Sequence, residues 1–135
     1  MKNRRDFLKT SLVISAGVVT ANAPSLAAVG GYPNGIIYTK DNPGKWAKKI
    51  NSHLPVVSIK GDTVTIETKH GMSGNHYIVR HTVVSDTGKV LGEKTFYPTD
   101  KKAISVFIVK GKHTKLYATS FCNKHDLWVS EFDKK

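Results

Sequence analysis

Thiol chemistry is nearly absent from this chain: its 135 residues hold one cysteine, Cys122. A single cysteine excludes an internal disulfide. Without a Cys-x-x-Cys pair it also excludes a metal centre built from four thiolates. Long apolar runs are missing as well. The most apolar stretch, Thr10–Ala21 (TSLVISAGVVTA), is dotted with Ser, Thr and Gly. It falls short of the roughly 20 strongly apolar residues that a spanning helix needs. Acidic residues are few, 10 against 21 Lys and Arg, for a formal net charge of +11. No window of useful length carries an apolar period of 3.6 residues, which argues against a helical bundle. No internal repeat or low-complexity segment is present.

What is there begins with a targeting segment. Asn3–Lys9 (NRRDFLK) sets the pair Arg4 and Arg5 before Phe7 and Leu8, and the uncharged run follows. Arg-Arg-x-Phe-Leu-Lys is the pattern of a twin-arginine export signal. Small residues at Ser25 and Ala27 predict cleavage before Ala28. A general secretory signal or an uncleaved anchor is the alternative. The expectation is a signal peptide over 1–27, a periplasmic location and no stable membrane insertion after cleavage. The mature part keeps 17 basic and 9 acidic residues, a formal charge of +8. A basic surface can meet nucleic acid, an anionic membrane or a small anion. Export and the scatter of the lysines both argue against nucleic acid, leaving a solvated surface or the steering of an anionic substrate.

Export also sharpens the meaning of Cys122. A lone thiol in an oxidising compartment is open to oxidation unless it is buried or bound. Cys122 is therefore an inert core residue or a metal ligand.

Residues 28–45 are rich in Gly, Pro and Asn and read as an irregular lead-in; Lys45–Ile50 (KWAKKI) supports at most a short helical turn. From Leu54 onward, β-branched runs alternate with turn signals. The runs are PVVSIK, DTVTIET, HYIVRHTVV, VLGEKTFY, AISVFIV, KLYATSF and LWVSEF, with turns at KGD, SDTG, YPTD and VKGKH. Seven short strands in about 80 residues predict an all-β, immunoglobulin-like antiparallel sandwich, within a domain over 46–135.

Six histidines are present. His70 and His76 flank one Gly-bearing loop, and His53 stands just before the first strand. Cys122 and His125 share a C-x-x-H spacing that can present two ligands from one tight turn. Four imidazoles and one thiolate thus fall at strand ends or in loops. Five donors exceed the four of a structural zinc site, and imidazole with one thiolate suits iron or copper. A blue-copper centre usually carries a methionine after its cysteine; here Met72 precedes Cys122 and none follows. His81 reads as a strand-face residue and His113 as part of a solvated hairpin. Tyr77, Phe107, Tyr117, Leu127 and Trp128 read as packing residues.

HLPVV at His53, the six-residue step from His70 to His76, and CNKHDLW from Cys122 together resemble the iron domain of superoxide reductases, the neelaredoxin and desulfoferrodoxin family. That family shows His-Val-Pro-Val, a loop with a second histidine six residues on, and Cys-Asn-x-His-Gly-Leu-Trp. The resemblance runs from Trp46 to Phe132. It implies one iron per chain, bound by His53, His70, His76 and His125 in a plane with Cys122 axial and the opposite face open. It implies reduction of superoxide to hydrogen peroxide, with Cys122 also acting catalytically by pushing electron density onto the metal. With no four-cysteine centre in the chain, electrons are expected from an external donor protein; a homo-oligomer is left open.

The chain departs from the family at two places. Many members read Glu-Lys-His at the first ligand, where the glutamate caps oxidised iron and the lysine draws in superoxide; here the residues are Asn51, Ser52 and His53. Lys48 and Lys49, five and four residues before His53, are candidate catalytic replacements for that lysine. The glycine after the last histidine is Asp126 here. Two rival readings stand beside the reductase: an iron module for electron transfer or sensing, and a cupredoxin-like copper carrier.

Overall fold

The computed structural model describes residues 31–135. The expected signal over 1–27 and the first residues of the lead-in lie outside them. Eight strands form two sheets: β1 (Ile37–Tyr38), β2 (Val56–Lys60), β3 (Thr63–Thr68), β4 (Ile78–Ser85), β5 (Val90–Thr95), β6 (Ala103–Ile108), β7 (His113–Cys122) and β8 (Asp126–Lys134). One sheet has the order β1-β8-β7-β4-β5 and the other β2-β3-β6. The two-sheet β-sandwich is the fold the strand pattern predicts, and all seven predicted runs are found as β2 to β8.

Alternation sets which side chains meet between the sheets. Along β3, Val64, Ile66 and Thr68 are buried while Thr63, Thr65 and Glu67 are not. Val64 and Ile66 join Val83, Val109, Leu116 and Ala118 in the main core cluster. A second cluster, Ile78, Phe96, Ala103 and Cys122 with Met72 against it, lies where β4 begins and β7 ends. The β2–β3 turn is made at Gly61, whose φ of 59° is left-handed backbone that glycine adopts without a Cβ clash.

Two parts of the N-terminal region differ from the expectation. The lead-in contributes β1, which pairs parallel to β8 with Ile37 opposite Leu127 and Tyr38 opposite Trp128. Tyr38 is buried and its ring packs on Trp128 at 5.6 Å, which anchors a stretch otherwise rich in turn formers. The expected short turn at Lys45–Ile50 extends further. A 3-10 helix, Gly44–Lys49, runs into an α-helical turn, Ile50–His53.

His81 lies on a strand face, as expected, and that face points into the sandwich. It is fully buried, with Nε2 2.8 Å from the Thr68 hydroxyl and Nδ1 2.7 Å from the Ser105 hydroxyl; Thr68 in turn lies 2.7 Å from Ser120. These hydrogen bonds join β3 and β6 of one sheet to β4 and β7 of the other. No buried side-chain polar atom among the described residues lacks a partner, as an interior of low dielectric requires.

Candidate metal centre

The antiparallel pairing brings five chain segments to one end of the sandwich. β3 ends two residues before His70, β4 begins two residues after His76, β7 ends at Cys122, and His125 closes the β7–β8 hairpin. His53 arrives from the helical turn before β2. Loop contacts fix these segments to one another. The Asn123 side chain accepts from the Tyr77 N–H at 3.0 Å and donates to the Asn75 carbonyl at 3.0 Å, locking the cysteine hairpin to the His76 loop. Trp128 Nε1–H donates to the His125 carbonyl at 2.9 Å.

The ligand atoms of His53, His70, His76, Cys122 and His125 all lie within 4.8 Å of one another. Three inner-nitrogen spacings follow one another around a ring: His53 Nε2 to His125 Nδ1 at 3.1 Å, His125 Nδ1 to His76 Nε2 at 3.0 Å, and His76 Nε2 to His70 Nε2 at 3.0 Å. His53 and His70 close the ring with centroids 4.6 Å apart, whereas His53 and His76, at opposite corners, are 6.2 Å apart. The Cys122 sulfur lies 3.6 Å from His125 Nδ1 and 4.0 Å from His70 Nε2. Nitrogens at the corners of a square about 2.1 Å from a shared ion would stand about 3.0 Å apart, so the spacing fits a metal. A tetrahedral ion has no place for the fifth donor; four imidazoles and a thiolate suit iron or copper.

Outer hydrogen bonds hold the rings with a lone pair facing inward. His53 Nδ1–H faces the Ser52 hydroxyl at 2.8 Å and the Lys49 carbonyl at 3.2 Å, and His70 Nδ1–H donates to the Gly71 carbonyl. All four imidazoles are pushed toward the neutral, metal-binding form. Burial, with the neighbouring His70 and His125, lowers the His53 pKa to about 4. Burial also lowers His70, His76 and His125, helped by the Lys49 ammonium on all three and by Lys124 on the last two.

A cavity of about 350 Å³ opens on His53, His70 and His76, lined also by Lys49, Ser52, Lys69 and Met72. Of the two lysines proposed from sequence, Lys49 lines it and Lys48 does not. The sequence reading missed Lys69, whose signal was its position next to His70 at the end of an alternating strand. His81 and His113 stand apart from the group. His81 is in the core, and His113 opens β7, with its Nε2–H donating to the Lys110 carbonyl at 3.1 Å.

A β-sandwich with four histidines and one cysteine converging at one end of both sheets defines a mononuclear metal-binding protein. The family model for desulfoferrodoxin matches residues 45–131, and the chain belongs to that family. Among solved structures it is similar to a superoxide reductase (neelaredoxin) from Ignicoccus hospitalis, variant E23A, at 25% identity over 73% of this chain and 93% of that one, with a TM-score of 0.60. It is also similar to the superoxide reductase from Treponema pallidum, at 25% identity over 60% and 67% of the two chains, with a TM-score of 0.52. The superoxide reductase (1Fe-SOR) from Giardia intestinalis shares the fold at 22% identity over 62% and 99%, with a TM-score of 0.57. No curated protein matches the sequence significantly.

Proposed function

We propose that the chain is an oxidoreductase of the superoxide reductase type, a periplasmic iron protein that reduces superoxide to hydrogen peroxide with electrons from an external donor protein. The observation that carries this reading is the ring of four inward imidazole nitrogens with the Cys122 sulfur beside it, in a chain of the desulfoferrodoxin family. His53, His70, His76, His125 and Cys122 would hold iron, which when bound supplies one electron and a Lewis-acidic position to the substrate. Cys122, buried against Ile78, Phe96 and Ala103, is sheltered from oxidation, and its thiolate makes the site electron-rich. Reduction of superoxide consumes two protons with that electron, so cations near the site have two uses: attracting the anion and delivering protons. Lys49 and Lys69 line the cavity and are suited to the first. Ser52, where the family pattern has lysine, spends its hydroxyl on His53 and on the Lys49 carbonyl.

The test is iron content and the visible spectrum of the oxidised protein, wild type against Cys122→Ser. One iron per chain, a thiolate-to-ferric band, and loss of both the band and most activity in the variant are expected. A variant that keeps iron and band would overturn the assignment of Cys122. The absence of the Glu-Lys pair at Asn51 and Ser52 favours one second reading, an iron module for electron transfer or sensing. A rate near zero that Ser52→Lys does not rescue would select it.

A further inference from the structure

Asp126 follows His125 directly and is the only non-glycine residue among those described with positive φ, at 68°. It closes the three-residue hairpin Asn123–His125 by pairing with Cys122, a position where a left-handed residue is needed and glycine is the unstrained choice. The residue there carries a carboxylate instead, and that carboxylate has a specific partner. Its Oδ2 accepts from Trp46 Nε1–H at 2.9 Å, across 80 positions of chain. Trp46 lies in the 3-10 helix Gly44–Lys49 and meets His125 edge-on, with ring centroids 4.6 Å apart and planes at 88°. The Lys45 ammonium sits 4.9 Å over the same indole. The helix that leads to His53 is therefore tied to the hairpin that carries Cys122 and His125.

Resting on the iron reading above, we propose that Asp126 is a positioning residue for the metal centre: its carboxylate holds Trp46 edge-on against His125 and sets a negative charge beside that imidazole, favouring the oxidised metal. A glycine here would relax the backbone but provide neither the bond nor the charge. A fixed charge on the residue next to a ligand acts on the ion through a partly buried path, where screening is weaker than in water.

Three substitutions separate the two parts. Asp126→Asn keeps an acceptor for the indole and removes the charge. Asp126→Gly removes both and suits the backbone, so the fold is retained. Trp46→Phe removes the indole donor and identifies the Trp46 share of the fluorescence. In the full, iron-loaded chain at a fixed applied potential, Asp126→Asn and Asp126→Gly should shift the ferric-to-ferrous ratio about three- to tenfold toward the reduced form. Only Asp126→Gly should also alter Trp46 emission, in the metal-free as well as the loaded protein. An unmoved ratio in both variants overturns the charge role, and unchanged Trp46 emission in Asp126→Gly overturns the tether. Failure of the iron reading looks different: the wild-type chain itself would hold no iron, while the emission change would still report the bond.

Discussion

Lys48 and Lys49 are neighbours in the chain, yet successive residues of a 3-10 helix point about 120° apart. Lys49 faces the cavity with Lys69, and Lys48 does not line it. Charge that guides a small anion acts most strongly where the anion must arrive. Lys49→Ala and Lys69→Ala should each lower the second-order rate with superoxide by roughly 2- to 10-fold, measured by pulse radiolysis, while Lys48→Ala should match the distant control Lys135→Ala. Equal effects at Lys48 and Lys49 would show that only bulk charge matters. Cys122, His125 and the histidine pair at 70 and 76 were legible from donor chemistry and spacing, because short loops leave few ways to place them. The choice between Lys48 and Lys49 was not legible, because it depends on the helical rotation of a segment whose sequence pattern showed only one short turn.

Between the sheets, His81 with Thr68, Ser105 and Ser120 forms the principal polar joint. Burial, with a smaller contribution from Lys94, lowers the His81 pKa to about 4, against about 6.5 in an unfolded chain. Below pH 6.5 the unfolded chain takes up a proton that the folded one refuses. The stability contributed by neutral His81 is thus present above that pH and is lost as pH falls toward 4. Denaturant titrations should show His81 contributing a slope of up to about 1.4 kcal/mol per pH unit in that window. His81→Gln, which keeps a donor and an acceptor but does not titrate, should remove that part of the slope. An unchanged slope would place the acid sensitivity elsewhere, in the metal-site histidines.

Across the whole molecule, the formal charge of +11, or +8 if the proposed signal over 1–27 is removed, sets a field that salt will weaken. Exposed charges are screened beyond about 8 Å at physiological ionic strength. The rate with superoxide should therefore fall as salt rises from low to physiological concentration, and a flat salt profile would argue against electrostatic recruitment. Export belongs to the same scale, since the proposed twin-arginine route carries chains that are already folded. Arg4→Lys with Arg5→Lys should leave the protein in the cytoplasm by fractionation. Unimpaired export of that double variant would point to the general secretory route.

The strand pattern and the five candidate donors at strand ends and loops could be read from residue order, because alternation along a strand and spacing within a loop are local properties. That the five meet at one point followed only from the family resemblance and the fold. β-branched runs broken at KGD, SDTG, YPTD and VKGKH leave little freedom in where the strands of a small domain begin and end. Other features needed the folded chain. Residue order showed His81 on a strand, but not that Thr68, Ser105 and Ser120 would surround it. It showed an irregular lead-in, but not that Ile37 and Tyr38 would lie parallel to Leu127 and Trp128. The bond from Trp46 to Asp126 spans 80 positions. Each of these is a contact between segments remote in sequence, and its existence depends on sheet order and helix rotation, which no local pattern encodes.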